Sequence, residues 1–303
     1  MARTFFNGRG YIGGGDAEFR VLGKSISDAL AAVGLVKCAD TGQLDWDTVT
    51  KPATANTQTA YEIWRFADSE YQTECPVFLK IAYGTGASTN TFGISVTVCR
   101  GTDGAGNVVG DYITYVNITS TSSGAYDRNQ NFISSDNGIS RLSLMLFVGG
   151  SYGGISDLQV ITIDRLRDAD GNPTAEGVHF ISVQNTYNQT SNWNQSVLPV
   201  YGAKFPNTPL TRPMCLMPPL CSDTSAPKTS KRPCVSYIYP YLGHPGNPDM
   251  NVFIYPNEIN TTGQGMLVKY PFYGSEHTFI LSGQAAAMYV NGDATVGIGV
   301  IYE

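Results

Sequence analysis

The stretch PVFLKIAYGTG (76–86) followed by FGISVTVCR (92–100) decides the fold class of this chain. Apolar and β-branched residues alternate with polar ones, and the runs break at Gly, Asn, Asp and Pro, which is the pattern of half-buried strands closed by turns. Working outward, the same character appears in YEIWRF (61–66) and in LVKCADTGQLDWDTV (35–49) on the N-terminal side. On the other side, GTDGAGNVVG (101–110) places a Gly- and Asn-rich tip between strand-like flanks and predicts a hairpin. Nothing in this region has the pattern of an active site.

Beyond residue 61 the chain continues as strand after strand. Alternation predicts strands at 61–66, 76–83, 92–100, 112–120, 142–149, 158–164, 178–183 and 196–201, with a second tight turn at DADGNPTAEG (168–177). That spacing predicts an all-β fold of β-sandwich or jelly-roll type. Residues 203–233 differ, because Pro206, Pro209, Pro213, Pro218, Pro219, Pro227 and Pro233 favour a semi-rigid extended crossing over a series of strands. Strand patterns resume at 234–241, 250–255, 265–281 and 285–302. The expected organisation is therefore an N-terminal arm with one short helix (1–60) and a main β-sandwich (61–202). The Pro-rich crossing (203–233) and C-terminal strands (234–303) follow, the latter completing the same domain or a second one.

Residues 1–24 resemble an extended arm. Gly8, Gly10 and Gly13–Gly15 give backbone freedom, while Phe5, Phe6, Tyr11 and Phe19 supply apolar anchor points for assembly. A short helix is expected next, capped by Ser25, with Asp28 three residues on, an apolar face of Ile26, Ala29, Leu30 and Val33, and a stop at Gly34.

Composition narrows the function. With 303 residues the chain can bury a full core, as one large or two modest domains. Charged residues make up 15%, well below the roughly 25% of an ordinary soluble domain, which suits a surface covered by other subunits. A net charge of −6 argues against a nucleic-acid partner. The basic group Lys228, Lys231 and Arg232 has the composition of a solvated loop. The start MARTFFNGRGYIGGGDAEF lacks an apolar run of signal-peptide length, and no segment approaches the roughly 20 apolar residues that span a bilayer. Synthesis in a reducing cytoplasm is expected, with the cysteines as thiols and no membrane insertion. Cys75 and Cys99, in strand-like contexts, read as small buried apolar residues. The sequons at Asn117, Asn188, Asn194 and Asn260 carry little meaning in that setting.

Catalytic and metal patterns are weak. His179, His244 and His277 lie far apart and outside any HExxH or nucleophile-elbow pattern. Cys215, Cys221 and Cys234 lack the close pairs of a zinc site. Asp168, Asp170 and Asn172 imitate the opening of a calcium loop, but Gly171 and His179 stand where that pattern fails, and a turn explains them. Paired carboxylates for glycoside cleavage, such as Asp45 with Asp47 on one face of a strand, or Glu62 with Asp68, have no supporting context. GRGYIGGG (8–15) and GTGASTNTFG (84–93) lack the spacing of phosphate cradles. No cofactor or metal is expected. TYNQTSNWNQS (186–196) sets Tyr187 and Trp193 in an amide-rich loop, suited to stacking a host-surface glycan or to an inter-subunit contact. Tyr237, Tyr239, Tyr241, Phe253 and Tyr255 form an aromatic patch suited to a protein partner.

The run ADTGQLDWDTV, followed by YEIWRF, PVFLKIAYGTG and GTDGAGN, resembles a family of tailed-bacteriophage virion proteins found among tail and baseplate components. The resemblance covers about residues 35–110 and carries no catalytic residue. It implies a non-enzymatic structural protein of the virion, made in the host cytoplasm and partnered by other virion proteins and copies of itself. Within that class the expectation is a tail, baseplate or fibre-attachment component. A capsid decoration or cement protein, a glycan-binding receptor module and a glycan-cleaving enzyme stand as alternatives.

Overall fold

Alternation at Leu79, Ile81 and Tyr83 turns these side chains to one face of a strand, and the rest of the fold follows from covering that face. The computed structural model describes residues 1–8, 13–86, 88–110, 114–119, 129–147, 158–168, 170, 172–184, 198–205, 213–216, 236–237, 252–256, 267–272, 275–281, 288–290 and 294–301. In chain order these form β1 (Ala2–Gly8), α1 (Asp16–Ala32), β2 (Val36–Lys37), β3 (Gln58–Arg65), α2 (Tyr71–Glu74), β4 (Phe78–Thr85) and β5 (Phe92–Cys99). Then come β6 (Gly101–Thr102), β7 (Val108–Val109), β8 (Thr114–Thr119), β9 (Asn129–Ser135), β10 (Arg141–Phe147), β11 (Leu158–Arg167), β12 (Pro173–Gln184), β13 (Leu198–Phe205) and β14 (Pro213–Leu216). The last are β15 (Ser236–Tyr237), β16 (Val252–Pro256), β17 (Leu267–Phe272), β18 (Ser275–Leu281), β19 (Met288–Val290) and β20 (Ala294–Ile301).

The fold is all-β and its strand pairs are antiparallel. One sheet runs β2-β3-β4-β5-β8, and a second runs β1-β9-β10-β11-β12-β13-β14. A C-terminal sheet runs β15-β16-β20-β18-β17, with β19 also on β20, and β6 and β7 form a separate hairpin. From β9 to β14 each strand pairs with the next in sequence, so that sheet is a meander with short-range connections.

A single apolar cluster ties the first two sheets to α1. Phe19, Leu22, Ile26, Leu30 and Val33 from the helix join Trp64, Leu79, Ile81, Tyr83, Phe92, Ile94 and Val96 from the first sheet. Ile133, Leu142, Leu144, Ile161 and Ile163 enter from the second. The proposed arm boundary at residue 60 therefore falls inside one core. In register, Leu79 lies opposite Trp64 and Val98, and Ile81 opposite Glu62 and Val96, so one polar side chain sits in an otherwise apolar face.

Residues 1–24 are not one extended arm. Residues 2–8 are strand β1, paired with β9 from Ala2 opposite Ser135 to Gly8 opposite Asn129. The helix begins at Asp16, nine residues before the expected cap at Ser25, whose hydroxyl instead donates to the Val21 carbonyl at 2.8 Å inside the helix. The three-and-four spacing extends back through Leu22 to Phe19, and burying side chains of this size contributes about 1.5–3 kcal/mol each. Glu18 also reaches back to accept from the Gly14 N–H at 2.8 Å, while Asp16 accepts from Lys51 N at 2.8 Å. Gly34 ends the helix as expected, at φ +94°, and touches the β9–β10 turn. A Cβ on Gly138 of that turn would stand 2.3 Å from the Gly34 carbonyl oxygen, so glycine is required on both sides.

Two further strands escaped the sequence pattern. β9 (NQNFISS) reads as polar, yet Asn131, Ser134 and Ser135 are buried in the ladder between β1 and β10. β14 lies within the Pro-rich crossing, where Pro213 is tolerated because the strand is short and at an edge. Cys75 is buried as expected but follows the short helix α2 and is not in a strand.

Candidate functional site

The densest polar constellation among the described residues surrounds Glu62. Its strand β3 turns Glu62 and Trp64 to the helix-facing side, and the carboxylate is 0% exposed. Oε1 accepts from Ser27 Oγ (2.9 Å), Lys37 Nζ (2.7 Å) and Trp46 Nε1 (3.1 Å). Oε2 accepts from Tyr83 OH (2.8 Å) and, at greater length, Trp64 Nε1 (3.4 Å). The donors come from α1, β2, the 38–57 connection, β3 and β4, so one side chain fastens the helix and a loop onto the sheet. Trp46 reaches the carboxylate by crossing α1 at Gly23, where a Cβ would come within 1.9 Å of the indole ring. Its ring meets Tyr83 edge-on at 4.8 Å between centroids, and Phe19 and Phe92 extend the aromatic cluster. Burial first, and then the Glu62 charge, push the Tyr83 phenol well above its ordinary value of 10.0.

This arrangement has a clear chemical consequence. A carboxylate offers about four lone-pair directions, and five donors already converge on these two oxygens. A general base needs a lone pair aimed at a substrate proton. Glu62 instead has the environment of a structural anion, with one cation and four neutral donors around it. Glu62 and Asp68, paired on paper as hydrolase carboxylates, belong to two separate networks.

Asp68 serves the second network, centred on Arg165 of β11, which is 1% exposed. Arg165 donates to the Cys75 carbonyl (2.7 Å), Asp68 Oδ2 (3.2 Å), Gln72 Oε1 (3.2 Å) and the Ile139 carbonyl (3.5 Å). Its guanidinium carbon lies 5.5 Å and 5.4 Å from the ring centres of Phe66 and Tyr71. This cation pins the 66–77 connection of the first sheet to the second sheet. Nearby, Arg141 pairs with Asp164 at 3.1 Å across β10 and β11, and Asp136 closes the β9–β10 turn by accepting from the Ile139, Ser140 and Arg141 N–H groups.

The other acidic residues singled out from sequence lie in turns. Asp45 and Asp47 do not share a strand face: Asp45 Oδ1 accepts from Asp47 N at 3.0 Å and Oδ2 from Thr48 Oγ1 at 3.0 Å, and these bonds hold its carboxyl below the usual aspartate value. DGAGN (103–107) and the described residues of DADGN (168–172) share the same hydrogen bonds. In each, the first Asp Oδ1 accepts from the backbone N–H two and four residues on, and Oδ2 accepts from the Asn side chain. In each, the Asp N–H also donates to the Asn carbonyl, at 3.0 Å and 2.9 Å. The calcium-like spacing at Asp168 is thus a self-bonded turn. Among the described residues, no group of three or more His, Cys, Asp or Glu side chains is placed to hold a metal.

The stretches ADTGQ, YEIWRF and GTDGAGN meet in space. Thr41 N donates to the Gly104 carbonyl (2.8 Å), Gly106 N donates to Asp40 Oδ2 (3.1 Å), and Tyr61 OH donates to the Thr41 carbonyl (2.6 Å). Gln43 accepts from Ile63 N at 2.7 Å, so ADTGQ lies along β3 beside the GAGN hairpin tip. Burial raises the thiols of Cys38 and Cys99 from an ordinary 9.0 to about 11.

Of the expected assembly residues, Phe5 is 44% exposed on the edge strand, with its ring 5.0 Å from Phe132. Phe6 is half-buried against the core. Phe19 is no arm anchor: it is fully buried in α1, because the helix starts earlier than its glycine-rich approach suggests. Tyr11, the Tyr187 and Trp193 loop, His244, Cys221, Cys234 and the Lys228 group lie outside the described residues. His179 and His277 fall in β12 and β18, their backbones opposite Asp164 and Tyr270.

Sequence reasoning missed Arg165, and it weighed Glu62 only as a hydrolase carboxylate beside Asp68. The available signal was Trp46, Trp64 and Tyr83, aromatics whose polar atoms need a partner once buried, with an acid on the same strand face as Trp64. No protein-family model matches the chain, and no similar protein was found among curated sequences or solved structures.

Proposed function

We propose that this chain is a non-enzymatic structural subunit of a tailed-bacteriophage virion, at the tail, baseplate or fibre attachment. It would be incorporated through its N-terminal segment. The observation that supports this best is the edge strand β1, which presents Phe5 at 44% exposure and has no strand on its outer side among the described residues. Low charge and the resemblance over residues 35–110 point the same way. The buried Glu62 and Arg165 are engaged by their own chain, a use of polar chemistry suited to cohesion. The partners in this reading are other virion proteins and further copies of the chain.

The test is to purify virions from cells making the chain and identify its peptides in gradient fractions. Peptides that co-sediment with intact tailed particles, and antibody label at the tail, are the expected result. Peptides confined to the soluble lysate would overturn the reading.

A further inference from the structure

Edge strands expose a row of unpaired backbone groups, and proteins blunt them with proline, short length, bulges or charge. The two edges of the seven-stranded sheet differ in this respect. β14 spans four residues and begins with Pro213. β1 spans seven, ARTFFNG, pairs with β9 without a register shift, and contains no proline and the single charge Arg3. Among the described residues no strand lies on its other side.

The sequence of β1 is compatible with itself in antiparallel pairing. Only a two-fold axis through Phe5 pairs every residue from Ala2 to Gly8. It sets Arg3 of one copy opposite Asn7 of the other, Thr4 opposite Phe6, and Phe5 opposite Phe5. No like charges meet, and the Phe5–Phe132 ring contact at 5.0 Å is continued by one more aromatic pair across the axis. Such a contact is isologous and closes at two copies. We propose that β1 is a homodimerisation edge, where two copies pair about a two-fold axis through Phe5 and join their seven-stranded sheets into one. This deepens the assembly reading by naming a partner, a second copy of this chain, and it can fail separately from that reading.

Light scattering on the full-length chain across concentration is expected to give a dimer. Phe5→Lys and Phe5→Glu each put like charges opposite one another, and each is expected to weaken the dimer about tenfold or more. An equimolar mixture of the two variants restores it, because opposite charges then face each other. Unchanged circular dichroism and unfolding midpoints show that the variants fold. As an independent readout, Phe5→Cys under mild oxidant gives a covalent dimer that the wild-type chain does not. A monomer at every concentration, dimers in both charge variants, or no recovery on mixing would overturn the proposal. An oligomer that survives both variants would place the contact elsewhere, for example at the β8 edge. That outcome removes the inference and leaves the virion reading to its own test.

Discussion

Around Glu62 an anion gathers side-chain donors from five separated positions, whereas around Arg165 a cation gathers backbone carbonyls, a carboxylate and an amide. The Glu62 network depends on the identity of every contributor: Ser27, Lys37, Trp46, Trp64 and Tyr83 each supply a donor from the side chain. The Arg165 network depends on the path of the chain, since Cys75 and Ile139 contribute only carbonyls. Both centres join elements distant in sequence, and both remove a charge from water. The difference lies in what a substitution can break: a donor in one case, the central cation in the other.

The largest effect expected is from Arg165→Met. It leaves Asp68 buried without its cation and unpins the 66–77 connection from the second sheet, at a cost of about 3–5 kcal/mol. Urea unfolding checks this, and a loss below about 1 kcal/mol would mean that Phe66, Tyr71 and the apolar core hold that connection by themselves. Gly23→Ala acts on the other centre without touching a polar atom. The added methyl must push Trp46 off Glu62, and overpacking of this kind costs about 1–3 kcal/mol. Trp46→Phe should relieve part of that cost in the double variant, which a double-mutant cycle would detect.

Alkaline pH acts on the Glu62 centre through Tyr83. Below the ordinary tyrosine value of 10.0 the Tyr83 phenol is protonated folded and unfolded, and its contribution is complete. Above that value the unfolded chain releases the proton while the folded chain keeps it, so stability falls as pH rises. Cys38 and Cys99 add to the same fall between 9.0 and about 11. Tyr83→Phe should lower stability at neutral pH and flatten its alkaline decline, read from unfolding midpoints across alkaline pH. An equally steep decline in the variant would remove Tyr83 from the account. The smallest effect expected is from Asp103→Ala at an exposed hairpin tip. It should loosen the GAGN turn, seen as faster amide exchange at Ala105 and Asn107, and leave the unfolding midpoint nearly unchanged.

How much of this was legible in the sequence depended on whether a pattern is local. β4 and β5 were evident because Leu79, Ile81, Tyr83, Ile94 and Val96 alternate with period two along their own strands. The GAGN hairpin was evident because its turn chemistry lies within five consecutive residues. β9 was hidden because Asn131, Ser134 and Ser135 are polar residues buried in the ladder between two neighbouring strands. The start of α1 was hidden because the glycines before Asp16 obscured a helical spacing that continues through Phe19. Glu62 was paired with Asp68 and not with its true partners, since nothing local ties position 62 to positions 27, 37, 46 and 83. Buried charge networks are assembled by tertiary contact, and a pattern along one strand does not contain them.

The buried Glu62 carboxylate binds α1, β2 and the 38–57 connection to the sheet, and Glu62→Gln tests that cohesive role most directly. The substitution keeps the volume but puts an amide NH2 among five donors and removes the charge paired with Lys37. Chemical denaturation should show a loss of about 3–5 kcal/mol. A stability that stays unchanged or rises is the mark of a functional group held against the interest of the fold, and that result would contradict the account.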